Sequence, residues 1–243
     1  MPRTPAPGGA LLPATAGVAS GIALVLALLV APEDAVQGPA QRLMYVHVPA
    51  AWVAYLAFAT VLVCSVAYLV RRDLRFDRCA QAAAELGVGL TALAIGLGML
   101  WGRPVWGVWW TWDARLVTTT VLLLVYVAYL GVRRMADDPH VAARRSAAVG
   151  VVAFLNVPVV HFSVVWWRTL HQPPTVLGPD GSPPIDPVMA WALAAGVVAF
   201  TLLAVLVVRR RVAGLRAAGS GTAAVLPADG AAPVITVVPG GGR

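Results

Sequence analysis

The sequence predicts an all-α integral membrane protein with six transmembrane helices and both termini in the cytoplasm. Three observations carry that expectation. Apolar residues make up 59% of the 243-residue chain and charged residues 12%, and the mean hydropathy is +0.78, a balance typical of membrane proteins. Six apolar stretches approach or exceed the roughly 20 helical residues that cross a bilayer. The arginines, finally, gather on one side of those stretches.

The stretches fall at about 10–30, 48–70, 80–100, 116–132, 147–166 and 188–208. The first has an apolar core too long for a signal peptide and no clear cleavage motif, so it counts as a span. Its Gly17 and Gly21 form a small-xxx-small pair suited to close helix packing. In the second, Pro49 suits a first helical turn. The fourth is the shortest and needs flanking residues to complete a crossing. These stretches divide the chain into an N-terminal cytoplasmic arm (1–9), a six-helix membrane domain (10–211) with an outward-facing loop at 101–113, and a cytoplasmic tail (212–243). The end of that tail is Ala-, Gly- and Pro-rich without a usable period, and it is expected to be disordered.

All eighteen basic residues are arginine, and the net charge is +7. In a soluble protein this excess would suggest nucleic acid; here it reads as topology, and no nucleic-acid partner is expected. RRDLRFDR (71–78), RRMADDPHVAARR (133–145) and RRR (209–211), with the two terminal segments, hold 14 arginines. The opposite side holds Arg42, Arg103, Arg115 and Arg168. The positive-inside rule therefore turns segments 31–47, 101–115 and 167–187 outward.

Residues 101–113 read WGRPVWGVWWTWD and contain five of the nine tryptophans. A simple aromatic belt populates both membrane interfaces. Here Trp52, Trp101, Trp106, Trp109, Trp110, Trp112, Trp166, Trp167 and Trp191 all fall on the outer side, while the inner ends carry tyrosines such as Tyr68 and Tyr129. An outward sheet of indole rings suits a large, flat, apolar ligand, because each ring loses little conformational entropy on contact. Gly102, Pro104 and Gly107 are expected to keep this stretch out of a long helix, lying across the membrane surface. Asp113 has two readings: it caps the fourth span, or it pairs with Arg103 or Arg115 or orients an indole N–H.

Three of the four histidines also reach the outer side. His47 lies in RLMYVHVPAAW and His171 in VVWWRTLHQPP, whereas His161, in NVPVVHFSV, is roughly 7 Å deeper than Trp166 at helical rise. His140 sits in the arginine-rich loop 133–145 as a solvated residue. Two imidazoles reaching one layer from separate loops can ligate one metal centre, but zinc-type spacing is absent. Indole rings with two axial imidazoles match the needs of haem, a flat apolar floor and two ligands to iron. Arg103 and Arg115 are suited to its propionates. The chain has two cysteines, too few for a disulfide framework, and no C-x-x-C-H for covalent haem attachment. Two other classes use the same residues: a membrane cytochrome carrying electrons through haem buried between helices, and a transport subunit for another flat molecule such as a quinone. The first calls for facing histidine pairs within the spans, where only His161 is expected. The second leaves the histidines idle. His161 is open to a functional role or to a simple bond with backbone.

WGRPVWGVWWTWDARL resembles the WWD motif of haem-handling proteins of c-type cytochrome maturation. YVHVPAAW before it and HFSVVWWRTLHQ after it narrow the resemblance to the CcmC family, over roughly residues 40 to 195. The resemblance implies that His47 and His171 are the two axial ligands. It implies that Trp101, Trp106, Trp109, Trp110 and Trp112, with Asp113, Arg103 and Arg115, form the haem platform. The haem would be b-type, non-covalent, transient and bis-histidine ligated. The implied protein is a scaffold in the bacterial inner membrane, not an enzyme, with its site facing the periplasm. Its implied partners are a periplasmic haem chaperone, ABC-type transporter subunits and a small single-span subunit. Val165, Val117 and Arg168 depart from the family pattern, at positions that leave the ligands intact. The related CcsA-type subunits share the motif but are usually larger.

Overall fold

The computed structural model describes residues 10–171 and 185–223. Among them are seven α-helices: α1 (Leu11–Val25), α2 (Met44–Arg71), α3 (Leu74–Trp106), α4 (Ala114–Arg133), α5 (Pro139–Ala153), α6 (Asn156–Trp166) and α7 (Pro187–Ala223). They form six runs long and apolar enough to cross a membrane, as the hydropathy predicts, with α5 and α6 sharing the fifth. The arm at 1–9, part of the expected outer segment (172–184) and the tail at 224–243 lie outside the described residues.

Short polar signals set several helix starts. Asp73, Asp113 and Asp138 each accept a backbone N–H from the first turn of α3, α4 and α5, respectively. An N-cap carboxylate satisfies donors that have no partner within the helix. The lengths are harder to read from sequence. A 3₁₀ turn over Pro39–Leu43 leads into α2, so Pro49 falls in the helix interior and not in its first turn. A proline there removes one i→i−4 bond, and Pro49 is packed closely against Gly196 of α7.

α3 also departs from expectation. It runs through Gly102 and Pro104 to Trp106, so half of the tryptophan loop is helical. Only Gly107, at φ 76°, ends it. The fifth pass is not continuous either. Pro158 has no N–H to give the Phe154 carbonyl, which instead accepts Val157 N at 2.9 Å, and the helix breaks between α5 and α6. Asn156 Nδ2 donates to the Thr118 carbonyl at 3.0 Å and ties this break to α4. At the other end of the chain α7 continues to Ala223, so residues 212–223 are helical where a disordered tail was expected. Gly17 and Gly21 face open space, with nothing among the described residues packed on them.

The bundle centre is a stack of Phe58 on Tyr126, ring centroids 3.7 Å apart, enclosed by Val61, Leu122, Val157 and Val160. A second cluster, including Met44, Tyr45, Met189 and Leu193, fixes α7 against the start of α2. At the arginine-rich end Arg133 forks onto buried Asp77, with Nη2–Oδ2 at 2.5 Å, and also donates to Ser146 at 3.2 Å. Arg211 grips Glu85 through bonds of 2.6 and 2.9 Å, joining α7 to α3.

Candidate functional site

At the tryptophan-rich end α2, α3, α4 and α6 surround a cavity of about 310 Å³. His47, Trp101, Trp106, Trp110, Arg115 and His171 all line it, so the structure brings together six of the ten residues singled out in the sequence. The other four stand elsewhere. Trp112 is 85% exposed and Trp109 52% exposed. Arg103 donates to the Gly107 carbonyl at the end of α3. Asp113 accepts Leu116 N at 3.0 Å, which bears out its reading as a cap.

His47 belongs to the first turn of α2, not to a loop. Its ring lies against α3 at Gly98, where a Cβ would come within 3.2 Å of Cε1. Any larger residue would displace the imidazole. Trp101 meets the ring edge-on, with centroids 5.8 Å apart and planes at 79°. Nδ1 of His47 is buried and has no hydrogen-bond partner. His171, five residues beyond α6, brings its ring centroid to 6.5 Å from that of His47, with the planes 34° apart. Trp106 stands 6.5 Å from His171 on the other side.

Trp101 is held from outside the motif. Its Nε1 donates to Gln37 Oε1 at 2.7 Å. Gln37 in turn sits in a turn built by Asp34, whose Oδ1 accepts the N–H groups of Val36 and Gln37 at 2.9 and 2.7 Å. Such a short Asx turn fixes the direction of the side chain that follows it. The sequence reading missed Gln37, because its partner lies 64 residues away. The Asp-x-x-Gln-Gly turn was the available signal.

The inner part of the cavity is more polar. Arg115 donates from Nη1 to the carbonyls of Val160 and His161 at 2.9 and 3.0 Å. No carboxylate pairs with it among the described residues. His161 lines the same cavity, its ring 6.3 Å from that of Tyr55 in an edge-on contact. Trp52, Tyr55 and Gly98 are further lining residues that the sequence reading did not assign to the site. Trp110 keeps its Nε1 buried and unbonded. Among the described residues no group of three or more His, Cys, Asp or Glu is arranged to hold a metal ion.

A family model described as heme exporter protein C, CcmC, matches residues 8–218. The heme exporter protein C of Bradyrhizobium diazoefficiens is 42% identical over 173 residues, covering 71% of this chain and 65% of that protein. A putative cytochrome c biosynthesis ccmC-like mitochondrial protein of Marchantia polymorpha is 38% identical over 157 residues, covering 65% of this chain and 66% of its own length. The heme exporter protein C of Escherichia coli (strain K12) is 36% identical over 173 residues, 71% of this chain and 69% of that protein. The chain thus spans just under two thirds of the length of the first two of these relatives.

Proposed function

The chain belongs to the CcmC family, heme exporter protein C, and on that premise we propose that it binds haem at the outer face of the bacterial cytoplasmic membrane and presents it to a periplasmic haem chaperone for c-type cytochrome maturation. The observation that carries the reading is the pair of imidazoles, His47 and His171, with centroids 6.5 Å apart in one cavity. A ligating imidazole nitrogen sits about 2 Å from its metal, so two rings on opposite sides of one ion have centroids roughly 6 Å apart. Two protein ligands without a third suit an ion that brings its own equatorial donors, as haem iron does.

The surroundings fit the rest of the ligand. Trp101, Trp106 and Trp110 offer flat apolar contact, and Arg115, with no carboxylate partner among the described residues, is available to a propionate. His47 and His171 would hold haem within this cavity, with Trp101, Trp106 and Trp110 around it, for presentation to the chaperone. Trp109 and Trp112 are exposed and offer the chaperone an aromatic surface. The haem is b-type, bound without a covalent bond, and released in turn. The chain acts as a loading scaffold and not as an enzyme, alongside ABC-type subunits and a small single-span subunit. His47 and His171 would hold the haem iron, and Trp101, Trp106, Trp110 and Arg115 would orient the ring until it is let go.

Absorption spectra of the detergent-purified protein, oxidised and dithionite-reduced, test this reading. The native chain is expected to show a b-type spectrum. His47→Ala with His171→Ala should lose it or change its spin state while folding normally. A native chain without haem, even when produced with its complex partners and chaperone, overturns the proposal and returns the cavity to a quinone-like ligand.

A further inference from the structure

We propose that the arginine-rich end carries a separate site for the phosphate of an anionic phospholipid headgroup, where the end of α2 meets the start of α5. A pocket of about 240 Å³ there is lined by Tyr68, Arg72, His140, Val141 and Arg144. It shares no residue with the cavity at the other end, and the inference does not rest on the haem reading.

Arg72 follows α2 with φ 56° and ψ 24°, its N–H donating to the Tyr68 carbonyl at 2.7 Å. It is the one non-glycine residue with positive φ among the described residues. Helices commonly end on this conformation, but glycine fills it at no steric cost and a branched-off side chain does not. A long cationic side chain in that place points to a use for the side chain, since the backbone alone disfavours it. Arg144 approaches the same pocket from α5.

Neither guanidinium takes part in any ion pair among the described residues. Two nearby carboxylates are already engaged: Asp73 with Arg75 Nε at 2.8 Å, and Asp138 with Val141 N at 2.8 Å. Between the arginines the Tyr68 hydroxyl donates to the His140 carbonyl at 3.1 Å and lies 3.3 Å from His140 Nδ1. This contact fixes the pocket's wall and makes His140 part of a built surface, not an isolated loop residue.

The level is that of headgroups. The fifth pass has 28 residues, about 42 Å at helical rise, against a hydrocarbon core of about 30 Å. Shared between the two ends, the excess puts the first turn, with His140, beyond the core, and Arg144 near its boundary, where a long side chain reaches the headgroup level. Two guanidiniums around one phosphodiester leave a positive excess, which disfavours a headgroup carrying its own cation and favours an anionic one.

Thermal unfolding of the full chain in mild detergent tests the site, with phosphatidylglycerol, phosphatidylcholine or inorganic phosphate added at equal concentration. Phosphatidylglycerol is expected to raise the native Tm by several degrees, and the other two to have little effect. The comparison variant is Arg72→Gly with Arg144→Gln; glycine suits the φ at position 72, and Arg144 is exposed. This variant should keep its Tm in detergent alone and lose most of the phosphatidylglycerol shift. An undiminished shift in the variant overturns the proposal. So does an equal shift from phosphatidylcholine, and an equal shift from inorganic phosphate would make it a free-anion site instead.

Discussion

At the arginine-rich end charge is closed upon itself, in one buried pair and one exposed pair. Arg133 forks onto Asp77 and reaches Ser146, and Arg211 holds Glu85. At the tryptophan-rich end the corresponding groups are left open. Arg115 reaches only backbone carbonyls, while Nδ1 of His47 and Nε1 of Trp110 are buried without a hydrogen bond. A buried polar group with no partner is costly, and two such groups, with a guanidinium that meets no carboxylate among the described residues, line one cavity at this end. The paired end holds the helices together; the open end is where they are put to use.

That contrast is broken first by cutting the closed pair. Asp77→Ala leaves Arg133 uncompensated and should cost about 3–5 kcal/mol, read as a large fall in Tm and in folded yield whether or not haem is present. A mild effect would mean that the arginine-rich end is held by apolar packing alone. At the open end Gly98→Ala should separate stability from binding. Alanine improves the helix by about 1 kcal/mol, yet its Cβ crowds His47 Cε1, so a protein at least as stable with an altered haem spectrum is expected. An unchanged spectrum would show that His47 is not held in place by α3.

Gln37→Leu should act more gently. It removes the acceptor for Trp101 Nε1, worth about 1 kcal/mol, and should lower haem retention, whereas Gln37→Glu keeps an acceptor and should retain more. Equal retention in the two variants would remove Gln37 from the support of the site. The smallest effect belongs to Asp113→Ala. Loss of the α4 cap should cost about 1 kcal/mol by thermal unfolding and leave the haem spectrum unchanged; a lost spectrum would restore the acid to the binding site.

Much of this architecture is legible before any coordinates. Apolar runs and arginine clusters give six passes in the right order, because bilayer thickness constrains helix length more strongly than local propensity does. Asp113 reads as a cap from its place before an apolar run. The rest depends on tertiary contacts. Gly102 and Pro104 suggest a break, but in α3 the helix continues through both until Gly107 turns it. Pro158 does break its helix, and nothing in the local sequence separates the two prolines. Five tryptophans look alike in the sequence, yet only Trp101, Trp106 and Trp110 line the cavity. His161 could be placed at its depth but not on its face, and Gln37, in a turn, acquires its role from a partner on α3.

The interruption at Phe154–Leu155 also decides how force travels through the fifth pass. Below it α5 is locked to the paired charges through Ser146. Above it α6 is pinned to α4 at two levels, by Asn156 on Thr118 and by Arg115 on Val160 and His161. The half of the pass beyond the break is thus fastened to the helix that begins just after the tryptophan loop, and His171 follows that half by five residues. His47 is carried instead by α2, against Gly98 of α3. The two imidazoles therefore reach one cavity from separately supported elements, so the gap between them is set by how α6 is fastened to α4 and how α2 packs on α3.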